Sequence, residues 1–219
     1  MRLFRLLLVP FTLLLCYAGT PQAHAEDPIA KSYVFEGQLD QSGVLKVTET
    51  IQFDTPPAEL TQRIANQAPI DRERSYTYDI SGMEVTGAEN VDTKVEGDYT
   101  VVSMKPSTTV KISYQVTGTT RREPGSNGQT SVFTWRALQG LSVATEKASG
   151  TLQVGATPQL VDCTAGPPGA LDKCQVYTAG THNSLTPMFE TSARGAGEQV
   201  TFTVGFASEQ VAPTEEVHE

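Results

Sequence analysis

The chain has 219 residues, with 16 Lys and Arg against 25 Asp and Glu and a formal net charge of −9. That balance argues against non-specific binding to nucleic acid or to anionic lipid. The length suits one large domain or two small ones and is enough to bury a sizeable core.

The first element is a leader. Arg2 and Arg5 precede an apolar run, Leu6 to Ala18, followed by Gly19, Pro21 and the small-residue end Ala23-His24-Ala25. These are the three parts of a secretory signal, with the cut expected between Ala25 and Glu26. At about 13 residues the apolar run falls short of the roughly 20 that a spanning helix needs. Two competing readings are a lipoprotein cysteine at Cys16 and a leader retained as an anchor. Three leucines before Cys16 count against the first of these. Arg2 and Arg5 are not adjacent, so general secretion is the expected route. Cleavage leaves 14 basic and 25 acidic residues, a net charge of −11.

From Lys31 the apolar period is two. Tyr33 and Phe35 alternate with Ser32, Val34 and Glu36, Gln41-Ser42-Gly43 turns the chain, and Leu45, Val47, Ile51 and Phe53 then share one side. This predicts a hairpin with one buried face. Glu49 falls on that apolar side, where a carboxylate is costly unless partnered. The expectation is an ion pair of Glu49 with Arg63, with Arg72 as the other candidate. The segment 56–67 holds Leu60 and Ile64 and reads either as a short helical turn or as an irregular or extended strand.

Strand patterns continue through Ser75–Gly87, Asp98–Met104 and the alternating Val110, Ile112, Tyr114 and Val116. Pro124–Gly128 is a hairpin tip, with Arg121 and Arg122 beside it as the one local basic spot and an interaction candidate. Trp135 reads as core. Five further short strands follow, up to Glu198–Phe206, with turn signals every 10–15 residues or so. Residues 212–219 read as a flexible acidic tail. The predicted architecture is an all-β antiparallel sandwich of about ten or more short strands, immunoglobulin-like in layout but not a true immunoglobulin domain, over residues 26–211.

Cys163 and Cys174 flank ten residues that include Gly-Pro-Pro-Gly. In an exported chain two cysteines usually pair. The spacing is not that of a redox C-x-x-C, and no histidine adjoins them for a metal site. A disulfide over so short a loop stabilises by about 2–3 kcal/mol in the chain-entropy model.

The order of these landmarks resembles a known family: "GVLKVTETIQFD", Arg63-Ile64, "YTYDISGMEVTG", "FTWRALQGLSV", "VDCTAGPPGALDKC" and "GEQVTFTVGF". It is similar to the extracytoplasmic N-terminal part of the bacterial family called domain of unknown function 2207, predicted membrane proteins. The resemblance runs from about Ser32 to Val211. It implies an exported β-sandwich-like domain without an assigned activity.

No G-x-S-x-G is present. A Ser-His-Asp site in the mature chain would rest on His182, with Asp162 as partner. The acidic run Glu89 to Asp98 lacks the order of a calcium loop. The expected function is therefore a non-catalytic structural or interaction module of the bacterial envelope, with no catalytic residues, metal or cofactor. Its expected partner is an envelope protein or polymer, not nucleic acid, with membrane contact only through an uncleaved leader or a partner. The alternatives are an exported hydrolase with a scattered carboxylate or Ser/His site, and a calcium- or glycan-binding module.

Overall fold

The computed structural model describes residues 28–123, 125, 129–181, 184–207 and 210–218, the side chains of Gln129 and Thr130 excepted. The leader, the outermost part of the Arg121–Arg122 hairpin tip and His182 lie outside them. Among the described residues there are strands and no helix. They are β1 (Ile29–Ala30), β2 (Ser32–Leu39), β3 (Leu45–Gln52), β4 (Leu60–Ala65), β5 (Gln67–Pro69), β6 (Ser75–Thr77), β7 (Asp79–Glu96) and β8 (Tyr99–Thr117). After these come β9 (Thr120–Arg122), β10 (Gln129–Leu138), β11 (Ala144–Thr145), β12 (Ala148–Val154) and β13 (Pro158–Gly166). The last are β14 (Val176–Thr178), β15 (Met188–Thr191), β16 (Gln199–Ala207) and β17 (Glu216–His218).

Two main sheets enclose the core. The larger has eight strands in the order β14-β15-β12-β2-β3-β8-β4, with β7 along the other edge of β8; the smaller runs β13-β16-β10-β9. Period-two alternation puts Tyr33, Phe35, Leu45, Val47, Ile51, Ile112 and Tyr114 inside from the larger sheet, facing Phe133, Trp135, Phe202 and Val204 from the smaller. The Phe189 and Phe202 rings meet across the layers at 5.1 Å, and the Tyr33 hydroxyl donates to Ala137 O at 2.8 Å. The architecture is thus the all-β, sandwich-like fold that the alternation implies. The β2–β3 hairpin pairs residue for residue from Ser32↔Gln52 to Leu39↔Leu45. The Asp40 carboxylate closes its turn by accepting from the Ser42 and Val44 N–H groups.

The long hairpin β7–β8 departs from the expected run of short strands. β8 is continuous through Pro106, and two different strands share its one edge: residues 109–116 pair with β3 and residues 99–104 with β4. β7 occupies the other edge throughout, with register shifts between Thr86 and Ala88 and between Glu89 and Asp92. Glu49 lies opposite Ile112 and Gln62 opposite Val102, ten residues apart along β8. On a straight strand that is roughly 33 Å. Their side chains nevertheless meet at 2.6 Å. β8 therefore turns a corner, at the register shifts that flank the Ala88↔Pro106 and Glu89↔Lys105 pairs.

The C-terminal residues also differ from the free acidic tail expected. β17 pairs with β6 (Glu216↔Thr77 to His218↔Ser75), and the Thr214 N–H donates to Thr120 O at 2.8 Å. Pairing of this kind uses the main chain, so the segment needs no apolar period to dock.

The bend generates a stability prediction. Gly87 has φ +76°, and an added Cβ would stand 2.0 Å from Thr109 O; Gly97, at the β7–β8 tip with φ +57°, has open space around it. Gly87→Ala should lower unfolding stability by more than about 2 kcal/mol, Gly97→Ala by only about 1 kcal/mol. Urea titrations of the two variants measure the difference.

Candidate functional site

Two chemical features stand above the rest: a sealed carboxyl cluster at the bend, and an arginine–tyrosine groove on the outer face of the smaller sheet, rimmed by β4.

The cluster centres on Glu49, which is fully buried. The Tyr114 hydroxyl donates to Oε1 at 2.6 Å and Gln62 Nε2 donates to Oε2 at 2.6 Å. Tyr33 lies beside them, and Trp135 packs on Tyr114 with ring centroids 6.4 Å apart. Burial pushes the Glu49 carboxyl up to about 7, against the opposing pull of the donors Tyr114, Gln62 and Tyr33. Burial, followed by the nearby Glu49 charge, drives Tyr33 and Tyr114 well above the ordinary phenol range. Gln62 Oε1 and Trp135 Nε1 are buried without a hydrogen-bond partner. The cluster is closed to solvent, which rules Glu49 out as a group that touches a dissolved substrate in this conformation.

The expected Glu49–Arg63 ion pair does not form. β4 is an extended strand, so Leu60, Gln62 and Ile64 point inward and Arg63 outward. Arg63 instead sits over the Tyr99 ring, 4.8 Å from its centroid, and 3.6 Å from a Glu96 oxygen. Arg72, the other candidate, is exposed. Gln62, which sequence reasoning passed over, takes the place meant for a cation.

Arg63 forms one rim of a groove of about 710 Å³ between the outer face of the smaller sheet, β5 and the loop closed by the disulfide. Arg136 rises from its floor and reaches Gln67 O at 3.4 Å. On that floor Arg136, Thr201 and Thr164 are direct neighbours across β10, β16 and β13. Tyr78 stands edge-on to Trp135, with centroids 5.1 Å apart, and Tyr99 is partly exposed. The far lip is Pro168 to Leu171, and Leu171 is 83% exposed. Cys163 and Cys174 are joined as expected, and the bridge holds the base of this lip. The groove lining includes two arginines and no Asp or Glu, in a chain whose net charge is negative. A smaller depression of about 390 Å³ on the outer face of the larger sheet mixes Glu36 and Glu84 with Lys46.

The other sequence candidates are placed as follows. Arg121 is engaged by Glu123 at 2.7 Å and lies 5.6 Å from the Tyr76 ring centroid. Arg122 is exposed, and its N–H donates to Glu215 at 3.3 Å. Asp162 is held by Lys173 at 2.6 Å. The acidic run of β7 is a solvated strand in which Glu89 meets Lys105 and Glu96 meets Lys94. Among the described residues no three His, Cys, Asp or Glu gather as a metal site, and no helix is long and apolar enough to cross a membrane.

No protein-family model matches the sequence, and no curated protein does. Solved structures show weak likeness. An aminopeptidase N family protein from Idiomarina loihiensis has a TM-score of 0.40 and 14% identity, over 79% of this chain and 29% of that one. A putative protease from Parabacteroides distasonis has a TM-score of 0.40 and 10% identity, over 82% and 40%. An M1 zinc metallopeptidase from Deinococcus radiodurans has a TM-score of 0.33 and 10% identity, over 82% and 42%. This chain spans less than half the length of each of these neighbours.

The raised carboxyl makes stability pH-dependent. Unfolded, Glu49 titrates near 4.5; folded, near 7. Its neutral-form contribution is therefore complete below about pH 4.5 and declines as pH rises, until it is lost above about 7. The loss is about 3 kcal/mol. Glu49→Gln should flatten the stability profile by that amount over the same window, as measured by urea unfolding of both proteins at pH 5 and pH 8.

Proposed function

We propose that the chain is an exported, non-catalytic binding module of the bacterial cell envelope, and that the groove between Arg63, Arg136 and the disulfide-held lip is its binding surface. The observation that carries this reading is Arg136 on a groove floor whose lining includes no Asp or Glu, in an acidic chain, with Arg63 at the rim shared with Glu96. Such a site attracts an anionic partner that the rest of the surface repels. The Cys163–Cys174 bridge supports an oxidising compartment, as do the secretory features of residues 1–25. The resemblance to domain of unknown function 2207 adds the envelope setting. Among the described residues the one strongly raised carboxyl, Glu49, is sealed in the core and serves the fold.

The secreted protein should sediment with isolated envelope polymer at low salt and be released at high salt. Arg63→Ala with Arg136→Ala should weaken that binding by about tenfold or more while leaving the far-ultraviolet spectrum unchanged. Salt-insensitive sedimentation, or full binding by the double variant, would show that the groove is not the surface used. Turnover of an envelope substrate abolished by a single point change would replace the binding reading with a catalytic one.

A further inference from the structure

The binding reading above leaves the ligand open, and the groove's chemistry narrows it. Its floor presents a row of one arginine and two hydroxyls, Arg136, Thr201 and Thr164, one per strand. Strands lie about 4.8 Å apart, close to the length of one sugar residue in a linear polysaccharide. Gln199 adds a neutral hydrogen-bonding group next to the row. Aromatic surface at Tyr78 and Tyr99 and the apolar lip at Leu171 offer contact for the C–H faces of sugar rings. Arginine recognises a planar carboxylate through paired N–H donors, and no acid in the lining competes for it.

A peptide fits less well. Extended peptides dock largely by adding to an open sheet edge. Beside the groove, the Gln67 carbonyl of β5 is taken by Arg136, and Pro69 has no N–H. The edge of β13 at 163–165 is closed by its own loop, through Ala165 N to Asp172 O at 2.8 Å and Cys174 N to Cys163 O at 3.1 Å. What remains is side-chain chemistry: charge, hydroxyls and ring faces.

We propose that the groove binds a carboxylate-bearing polysaccharide, with one uronate carboxylate on Arg136 and the sugar chain running along Thr201 and Thr164 beneath the Leu171 lip. This deepens the binding reading and rests on it.

The test is calorimetric titration of the secreted protein at low salt with tetragalacturonate, its methyl ester and a short poly-glutamate peptide. Tetragalacturonate should bind at least about tenfold more tightly than either of the others. Arg136→Ala should remove most of that affinity. Leu171→Glu changes an exposed side chain and cannot harm the core; both ligands lose the lip contact but only the acid is repelled, so the uronate should weaken about tenfold more than the methyl ester. Equal affinity for acid and ester overturns carboxylate recognition, and tighter binding of poly-glutamate overturns the sugar assignment. If no probe binds but envelope polymer still sediments with the protein in an Arg136-dependent way, the ligand class falls and the binding module stands. If neither binds, both fall.

Discussion

The contact between Glu49 and Gln62 is the constraint on which the rest of the architecture turns. It joins two stretches of sheet that share β8 but lie on either side of its corner. A buried carboxyl must find donors, because leaving it without them costs several kcal/mol. Tyr114 from the β3-paired half of β8 and Gln62 from the strand folded over it supply two. That requirement fixes the register of β4, and a slip of one residue would exchange every inward side chain for its outward neighbour. Gln62 inward means Arg63 outward. The groove rim is thus set by the same parity that satisfies the core, with Arg63 over Tyr99 on the outer side of the strand that clamps Glu49 from within.

Why a carboxyl stands here at all is a question of specificity more than of strength. An aliphatic side chain at position 49 would bury with less penalty and would accept almost any apolar partner opposite. Glu49 requires hydrogen-bonding partners, so it discriminates among the ways in which a long hairpin such as β7–β8 could fold over the sheet. The cluster is not fully satisfied: Gln62 Oε1 and Trp135 Nε1 have no partner. Partly satisfied polar groups in a dry core weaken it.

The period-two pattern made the local elements readable: the β2–β3 hairpin, the inward Trp135, the five late strands and the position of Glu49 on the apolar side. Glu49's partner was misjudged for a definable reason. Leu60 and Ile64 share a face in a strand as well as in a helix, so their spacing alone did not reveal that the intervening Arg63 must face the opposite way. The bend of β8 was hidden because Pro106 looks like a strand end, whereas here it lies at a corner where the ladder is irregular. The docking of β17 on β6 involves backbone pairing between residues more than 130 positions apart, which leaves no trace in side-chain periodicity. The groove was invisible for a similar reason. Arg136 is legible as outward because Trp135 is inward, but the walls that turn a sheet face into a concave site come from β5 and from the cysteine loop, each distant in sequence.

The cysteine loop closes the argument about compartment and site together. Pro168 to Leu171 has little apolar burial to hold it, with Leu171 almost fully exposed. Its position depends instead on the Cys163–Cys174 bond, the short ladder that runs beside it and the Lys173–Asp162 pair. An exposed ion pair contributes at most about 1 kcal/mol, so the covalent bond is the principal restraint. The concavity of the groove thus rests on the bond between these two cysteines, within the seventeen-residue stretch Val161 to Tyr177.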